Sequence, residues 1–256
     1  MKNIAIITGG NSGVGLEFVR QISGTVDQIW VVGRSHQTLD AVCKEFSNVR
    51  GYSIDLGKWF MDGSDKNIPL LFDLSSDVNV KWLVHSAGYG KFGSHEDLSD
   101  EDESGMIALN DGALVTLTRA VLPYMDQGGH IVFLASCAGF MPLPDFNVYA
   151  ASKAFVQSYA RGLRAELKQR KITVTAVCPP WMKTPFIARA EQTQGGKRLK
   201  NLRGAVSPVR VVKKAIKDAK KNKPLSVCGW LAKTMHVGAK FLPKGMMIKI
   251  WQGMQK

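Results

Sequence analysis

Tyr149 and Lys153 stand four positions apart in the stretch Tyr-Ala-Ala-Ser-Lys. On a helix such residues lie about 40° apart around the axis and about one turn apart along it. The two side chains then share a face. An ammonium beside a phenol favours the phenolate and lowers a pKa that starts at about 10. Tyr149 is therefore a candidate acid/base that exchanges a proton close to neutral pH. The same spacing arises by chance on ordinary amphipathic helices, so its weight comes from the residues around it.

The elements that must position this pair begin at the N-terminus. Residues 3–8 form a short apolar run that suits a buried parallel strand. Thr8-Gly9-Gly10-Asn11-Ser12-Gly13-Val14-Gly15 follows, then an amphipathic segment to residue 22. Strand, glycine-rich turn and helix together offer a phosphate the free N–H groups and positive dipole end of a helix N-terminus. A second strand, 29–33, ends in Arg34-Ser35. In a dinucleotide fold an acidic residue here would pair with the 2′-hydroxyl of NAD. Gly33 and Arg34 suit a 2′-phosphate instead, favouring NADP(H) with NAD(H) as the alternative.

Further strands are expected at 49–54, 80–85, 129–135, 172–178 and 225–228, about seven in all. Helices are expected at 36–46, 105–126, 148–169 and from Ser207-Pro208 to about 221. Residues 57–79 read as less regular, with helical content near 68–73. Asn110 falls inside the 105–126 helix, where an Asn is locally unfavourable unless it is exposed or meets a polar partner at a kink. Alternating strands and helices predict an α/β chain with a doubly wound, mostly parallel sheet. The polar candidates fall at or just after the C-terminal ends of strands, where such sheets bind ligands.

The chain has 256 residues, 45% hydrophobic and 21% charged. That is the size of one large α/β domain spanning 1–256, with 185–256 as its variable substrate-side segment and basic extension. No run of eighteen apolar residues occurs, and no transmembrane helix is expected. Cys43, Cys137, Cys178 and Cys228 lack metal-ligand spacing and read as reduced thiols of a cytoplasmic protein. The net charge of +13 is uneven: residues 183–256 hold 18 Lys and Arg against Glu191 and Asp218, a net of +16. Such a segment fits an anionic partner or a solvated basic face. Within it, 185–205 reads as a mobile stretch. Residues 230–256 mix Leu231, Met235, Phe241, Leu242, Met246, Met247, Ile250 and Trp251 with Lys233, Lys240, Lys244 and Lys249. They can pack over a cleft, meet a second subunit or lie on an anionic membrane, packing being the commoner fate. No nucleic-acid-binding module is present.

Taken in order, the motifs resemble the short-chain dehydrogenase/reductase family over residues 4–184. Thr8, Gly9, Gly13 and Gly15 fit its T-G-x-x-x-G-x-G turn, and Ser86-Ala87-Gly88 resembles its N-A-G motif with Ser in place of Asn. Asn110, Ser136, Tyr149 and Lys153 fit its catalytic tetrad, with Ser136 thirteen residues before Tyr149. Pro179 to Thr184 resembles P-G-x-x-x-T with Pro180 in place of Gly.

The resemblance implies a Rossmann fold and hydride exchange between a nicotinamide and a carbonyl or secondary alcohol. Tyr149 would exchange the proton, Lys153 would assist it and hold the nicotinamide ribose, Ser136 would fix the carbonyl oxygen, and Asn110 would hold a relay water. It implies cofactor contacts at Gly9, Asn11, Ser12, Gly13, Val14, Gly15, Arg34, Ser35, Asp55, Leu56, Ser86, Ala87, Gly88, Pro179 and Thr184, besides Tyr149 and Lys153. Asp55 would lie near the adenine. It also implies a homodimer or homotetramer built on the 105–126 and 148–169 helices. Around the expected cleft, Phe140 and Trp181 would meet the substrate beside Ser136 and Tyr149, and their apolar neighbours favour a bulky hydrophobic ketone, like a steroid or bile acid. A 3-oxoacyl thioester is the alternative substrate, and a non-catalytic dinucleotide sensor the alternative class. No metal site is expected.

Overall fold

Apolar runs without polar alternation suit strands covered on both faces, and this sequence assembles them into one sheet. The computed structural model describes residues 1–63, 74–182, 184–193, 195, 199 and 204–255. Among the described residues the strands are β1 Lys2–Thr8, β2 Gln28–Gly33, β3 Val49–Ser53, β4 Val78–His85, β5 His130–Leu134, β6 Thr173–Cys178 and β7 Leu225–Val227. Their order is β3-β2-β1-β4-β5-β6-β7, and every neighbouring pair is parallel. The expected doubly wound α/β sheet is thus present. Its order reverses between β1 and β4, which opens a crevice at their C-terminal ends.

The helices are α1 Gly13–Ile22, α2 His36–Glu45, α3 Leu56–Met61, α4 Asp100–Ile107, α5 Ala113–Val121, α6 Asn147–Glu166, α7 Phe186–Ala190, α8 Pro208–Lys220, α9 Trp230–Phe241 and α10 Lys244–Gln255. Side chains alternate along β1. Ala5 and Ile7 pack with Phe18 and Ile22 of α1, Val42 of α2 and Val211 of α8. Ile4 and Ile6 face the other layer, with Trp59 of α3, Leu114 and Leu117 of α5, and Val156 of α6. A third cluster, including Phe146, Tyr149, Met247 and Trp251, lies over the crevice.

Three segments differ from the sequence expectation. Asp55 caps α3 through Oδ1, which accepts from the Gly57 and Lys58 N–H groups at 3.1 and 3.2 Å, so ordered helix begins where irregular chain is expected. The expected continuous helix over 105–126 is α4, a π-helical segment Ala108–Gly112 and α5 in succession. The stretch Asp100–Tyr124 is long and apolar enough to cross a membrane by length and composition. Here it packs on the sheet and buries Met106, Leu117 and Val121. Within 185–205, expected to be mobile, Phe186–Ala190 is helical. The helical content expected near 68–73 lies outside the described residues, as does Lys183.

The first turn carries a tight steric constraint. Gly13 has φ +54°, in the left-handed region. At Gly15 an added Cβ would collide with the Gly9 carbonyl and the Ser86 hydroxyl, so α1 starts where it does only because no side chain intervenes. Gly15→Ala should lower unfolding free energy by about 1–3 kcal/mol through overpacking, measured by urea denaturation. An unchanged midpoint would show that the turn relaxes freely.

Candidate active site

Thr8 ends β1 and ties it to the loop after β4. Its Oγ1 accepts from the Ser86 and Ala87 N–H groups, each at 3.1 Å, and Ser86 Oγ donates to the Thr8 carbonyl at 2.5 Å. Ser86 therefore binds the two strand ends together itself, in the place where Asn is usual. Beside this junction the first turn of α1 presents N–H groups that have no partner within the helix, and the Ser12 hydroxyl does not cap them. Thr184 approaches the turn near Gly13. The positive end of a helix, a left-handed glycine and a wall of small residues fit the pyrophosphate of a dinucleotide.

A cavity of about 700 Å³ runs from this turn to α9 and α10. Gly9, Asn11, Ser12, Gly13, Val14, Gly15, Arg34, Ser35, Asp55, Leu56, Ser86, Ala87, Gly88, Pro179 and Thr184 line it, as do Ser136, Tyr149, Lys153 and Trp181. Its two ends differ in chemistry. At one end Arg34 forms an exposed ion pair with Asp55 at 3.8 Å, and the Asn11 amide donates to Thr38 Oγ1 at 2.7 Å. Asp55 is thus tied to its helix cap and to Arg34. At the other end lie Met141, Leu143, Phe146, Trp181, Phe186, Met235, Met247 and Trp251. Phe140, expected to meet substrate, does not line the cavity. Its ring packs at 4.8 Å from His236 of α9 because the 3₁₀ turn Cys137–Phe140 directs it under that helix.

Tyr149 and Lys153 lie on the buried face of α6, 7% and 5% exposed. Lys153 Nζ sits 5.6 Å from the Tyr149 ring centre and donates to the Leu134 carbonyl at 3.0 Å. Phe146 stacks on Tyr149 at 4.4 Å, and Phe186 tilts against it at 5.4 Å. The expected lowering of the Tyr149 pKa is reversed. Burial among these rings pushes the phenol well above its ordinary value, and the Ser136 hydroxyl only partly opposes this. Burial also lowers Lys153 to about 8. Ser136 Oγ accepts from the Ala138 N–H at 3.1 Å, and the Ser136 carbonyl accepts from Gln157 Nε2 at 2.9 Å.

Asn110 does not line the cavity. It is 1% exposed in the π-helical segment, and its polar atoms are engaged. Oδ1 accepts from the Tyr89 N–H at 3.1 Å, while Nδ2 donates to the Tyr89 carbonyl at 2.9 Å and to Ser152 Oγ at 3.1 Å. Ser152 Oγ in turn donates to the Tyr149 carbonyl at 2.8 Å. The side chain thereby clamps the loop after β4 onto α6, which answers the question posed by a mid-helix Asn.

Residues 3–195 match the family model described as short chain dehydrogenase. The chain is a short-chain dehydrogenase. As a member of that family it is an NAD(P)-dependent oxidoreductase. This short-chain dehydrogenase is 33% identical over 193 residues to sulfoacetaldehyde reductase 2 of Chromohalobacter salexigens, covering 73% of this chain and 75% of the relative. It is 31% identical over 186 residues to an NADP-dependent 3-hydroxy acid dehydrogenase of Salmonella typhi, covering 69% and 71%. A short-chain dehydrogenase from Sphingobium yanoikuyae in complex with NADPH has the same fold, with TM-score 0.76, 24% identity and coverage of 98% and 94%.

Sequence reasoning misses Asp111. It follows Asn110 in the π-helical segment, is 9% exposed, and its Oδ1 is buried without a hydrogen-bond partner among the described residues. Burial raises this carboxyl to about 7, while the charge of Lys153 draws it down and its own charge supports the Lys153 ammonium. The signal is a charged residue at an inward position of an apolar helix, legible once the local winding is known. Lys153 is charged below about 8 and neutral above. Activity that depends on the ammonium falls as pH rises through that value. Asp111→Asn removes a group that raises the Lys153 pKa, so the alkaline limb of the kcat/KM profile should move to lower pH. An unmoved limb would separate Asp111 from Lys153.

Proposed function

We propose that this short-chain dehydrogenase interconverts a bulky, largely apolar carbonyl compound and its secondary alcohol, using NADP(H). The observation that carries the reading is the position of the Tyr149 phenol, set among aromatic rings with Ser136 and Lys153 at hand in a cavity that is apolar at its far end. A bound nicotinamide supplies or accepts the hydride. The chain's own residues manage the oxygen and its proton. A phenol held above its ordinary pKa stays protonated, the form that donates to a carbonyl oxygen as negative charge develops there. The Ser136 Oγ accepts from the Ala138 N–H, which leaves its hydroxyl proton available to donate to the same oxygen. The Lys153 ammonium stabilises the phenolate left behind. Asn110 and Ser152 hold α6 at the distance these transfers require.

Arg34 supports the preference for NADP(H). Its ion pair with Asp55 is exposed, and such pairs are worth about 0–1 kcal/mol. A 2′-phosphate offers the guanidinium stronger charge-assisted bonds. The named cofactors of the Salmonella typhi and Sphingobium yanoikuyae relatives agree with this choice. A second reading, a carbonyl compound with an anionic end, draws on Arg189 in the cavity wall. Relatives named for a hydroxy acid, a sulfoacetaldehyde and a very-long-chain 3-oxoacyl-CoA favour it.

Tyr149→Phe should cut kcat for ketone reduction by about 100-fold or more while NADPH binding, followed by fluorescence, persists. Retained turnover would remove the acid/base role. Arg34→Ala should weaken NADPH binding and leave NADH binding nearly unchanged, collapsing the preference between them. An unaltered ratio of dissociation constants would place the 2′-phosphate elsewhere.

A further inference from the structure

The C-terminal helices α9 and α10 bury one side and expose an apolar stripe on the other. Ala232, Met247 and Trp251 face inward, and Trp251 Nε1 donates to the Pro144 carbonyl at 2.9 Å. On α9, Trp230, Val237 and Phe241 are 70%, 53% and 80% exposed. At helical spacing they fall within about 40° of one another. Lys233 and Lys240 are exposed along one flank of that stripe. On α10, Met246 and Ile250 are 49% and 46% exposed, with Lys249 exposed beside them. No Asp or Glu follows Asp218 in the sequence. An exposed helix face of a water-facing protein is ordinarily polar, and apolar patches of this kind mark interaction sites.

We propose that the outer face of α9 and α10 docks on an anionic lipid bilayer. Trp230, Val237 and Phe241 enter the acyl boundary, and Lys233, Lys240 and Lys249 meet the headgroups. A large apolar stripe beside a row of lysines is the arrangement that binds such an interface. Charge selects this occupant over the others. A second copy seated symmetrically would bring a second set of the same lysines to the contact, with no carboxylate side chain on either helix to offset them. A nucleic acid would satisfy the lysines and leave the apolar stripe in water. The cavity also opens at this face: Thr234, Leu242 and Ile250 are exposed and line it. If the proposed apolar carbonyl substrate is correct, docking sets the cavity mouth against the phase in which that substrate dissolves. The docking itself does not depend on that reading.

The test is flotation of the full chain with vesicles of phosphatidylcholine mixed with phosphatidylglycerol, beside vesicles of phosphatidylcholine alone. The protein should float with the anionic vesicles, and added salt should reduce the bound fraction. Trp230→Ser with Phe241→Ser should lower partitioning by about ten-fold or more. Lys233→Gln with Lys240→Gln should lower it by about five-fold per lysine. Circular dichroism and thermal melting of each double variant check that it folds. Failure of the wild type to float overturns the proposal, as does flotation that neither double variant reduces. A wild-type dimer in sedimentation that Phe241→Ser converts to a monomer would also overturn it, assigning the face to a second copy.

Discussion

Burying an ammonium is the constraint on which the site depends. Lys153 is 5% exposed, and its lowering from an ordinary 10.5 to about 8 is on the order of 3 kcal/mol held against the charged form. The surrounding chain is built to offset that cost. The Leu134 carbonyl at the end of β5 accepts from Nζ, and Asp111 contributes a facing charge from the π-helical segment. Gly88 leaves room, since an added Cβ there would lie 2.8 Å from Asn110 Oδ1 and 3.4 Å from Lys153 Nζ. The extra residue in the helix turns Asn110 and Asp111 inward together, one to clamp and one to balance charge. Such bulges often accompany functional sites.

The cavity couples two kinds of recognition on one sheet. Its polar end is made by backbone and short side chains at the reversal between β1 and β4, where strand order alone opens the crevice. Its apolar end is made by side chains from the loop after β5, from Trp181 after β6 and from α7, α9 and α10. Tyr149 stands where the two ends meet.

The sheet was largely legible in the sequence because the central strands β1, β2, β5 and β6 are short, mainly apolar runs followed by small or polar residues and largely buried, whereas the edge strand β3, Val-Arg-Gly-Tyr-Ser, buries no residue. Every proposed cofactor contact lines the cavity, and all but Tyr149 and Lys153, which α6 supplies, stand at a strand's C-terminal end or in the turn and first helical residues after it. The misses have local causes. Phe140 reads like its apolar neighbours, and only the 3₁₀ turn decides that it points under α9. The π-helical segment carries no sequence signal in its apolar pattern, so Asp111 looked like part of an ordinary helix. The Tyr149 expectation weighed the nearby ammonium and not the desolvation by Phe146, three residues earlier at the helix N-cap, and by Phe186 on α7. The apolar stripe of α9 was present in the sequence, but which side of that helix faces the cavity is a tertiary fact.

On the proposed function, hydride passes between a dinucleotide and a carbonyl carbon beside Tyr149. The most direct measurement uses NADPH carrying deuterium at the transferable C4 position, with an oxo-steroid, an oxo-bile acid and an acetoacetyl thioester as acceptors. Mass spectrometry of the products should find one deuterium on the carbinol carbon of at least one of them. Alcohol product without deuterium, or no alcohol from any acceptor while NADPH binds tightly, would contradict the account.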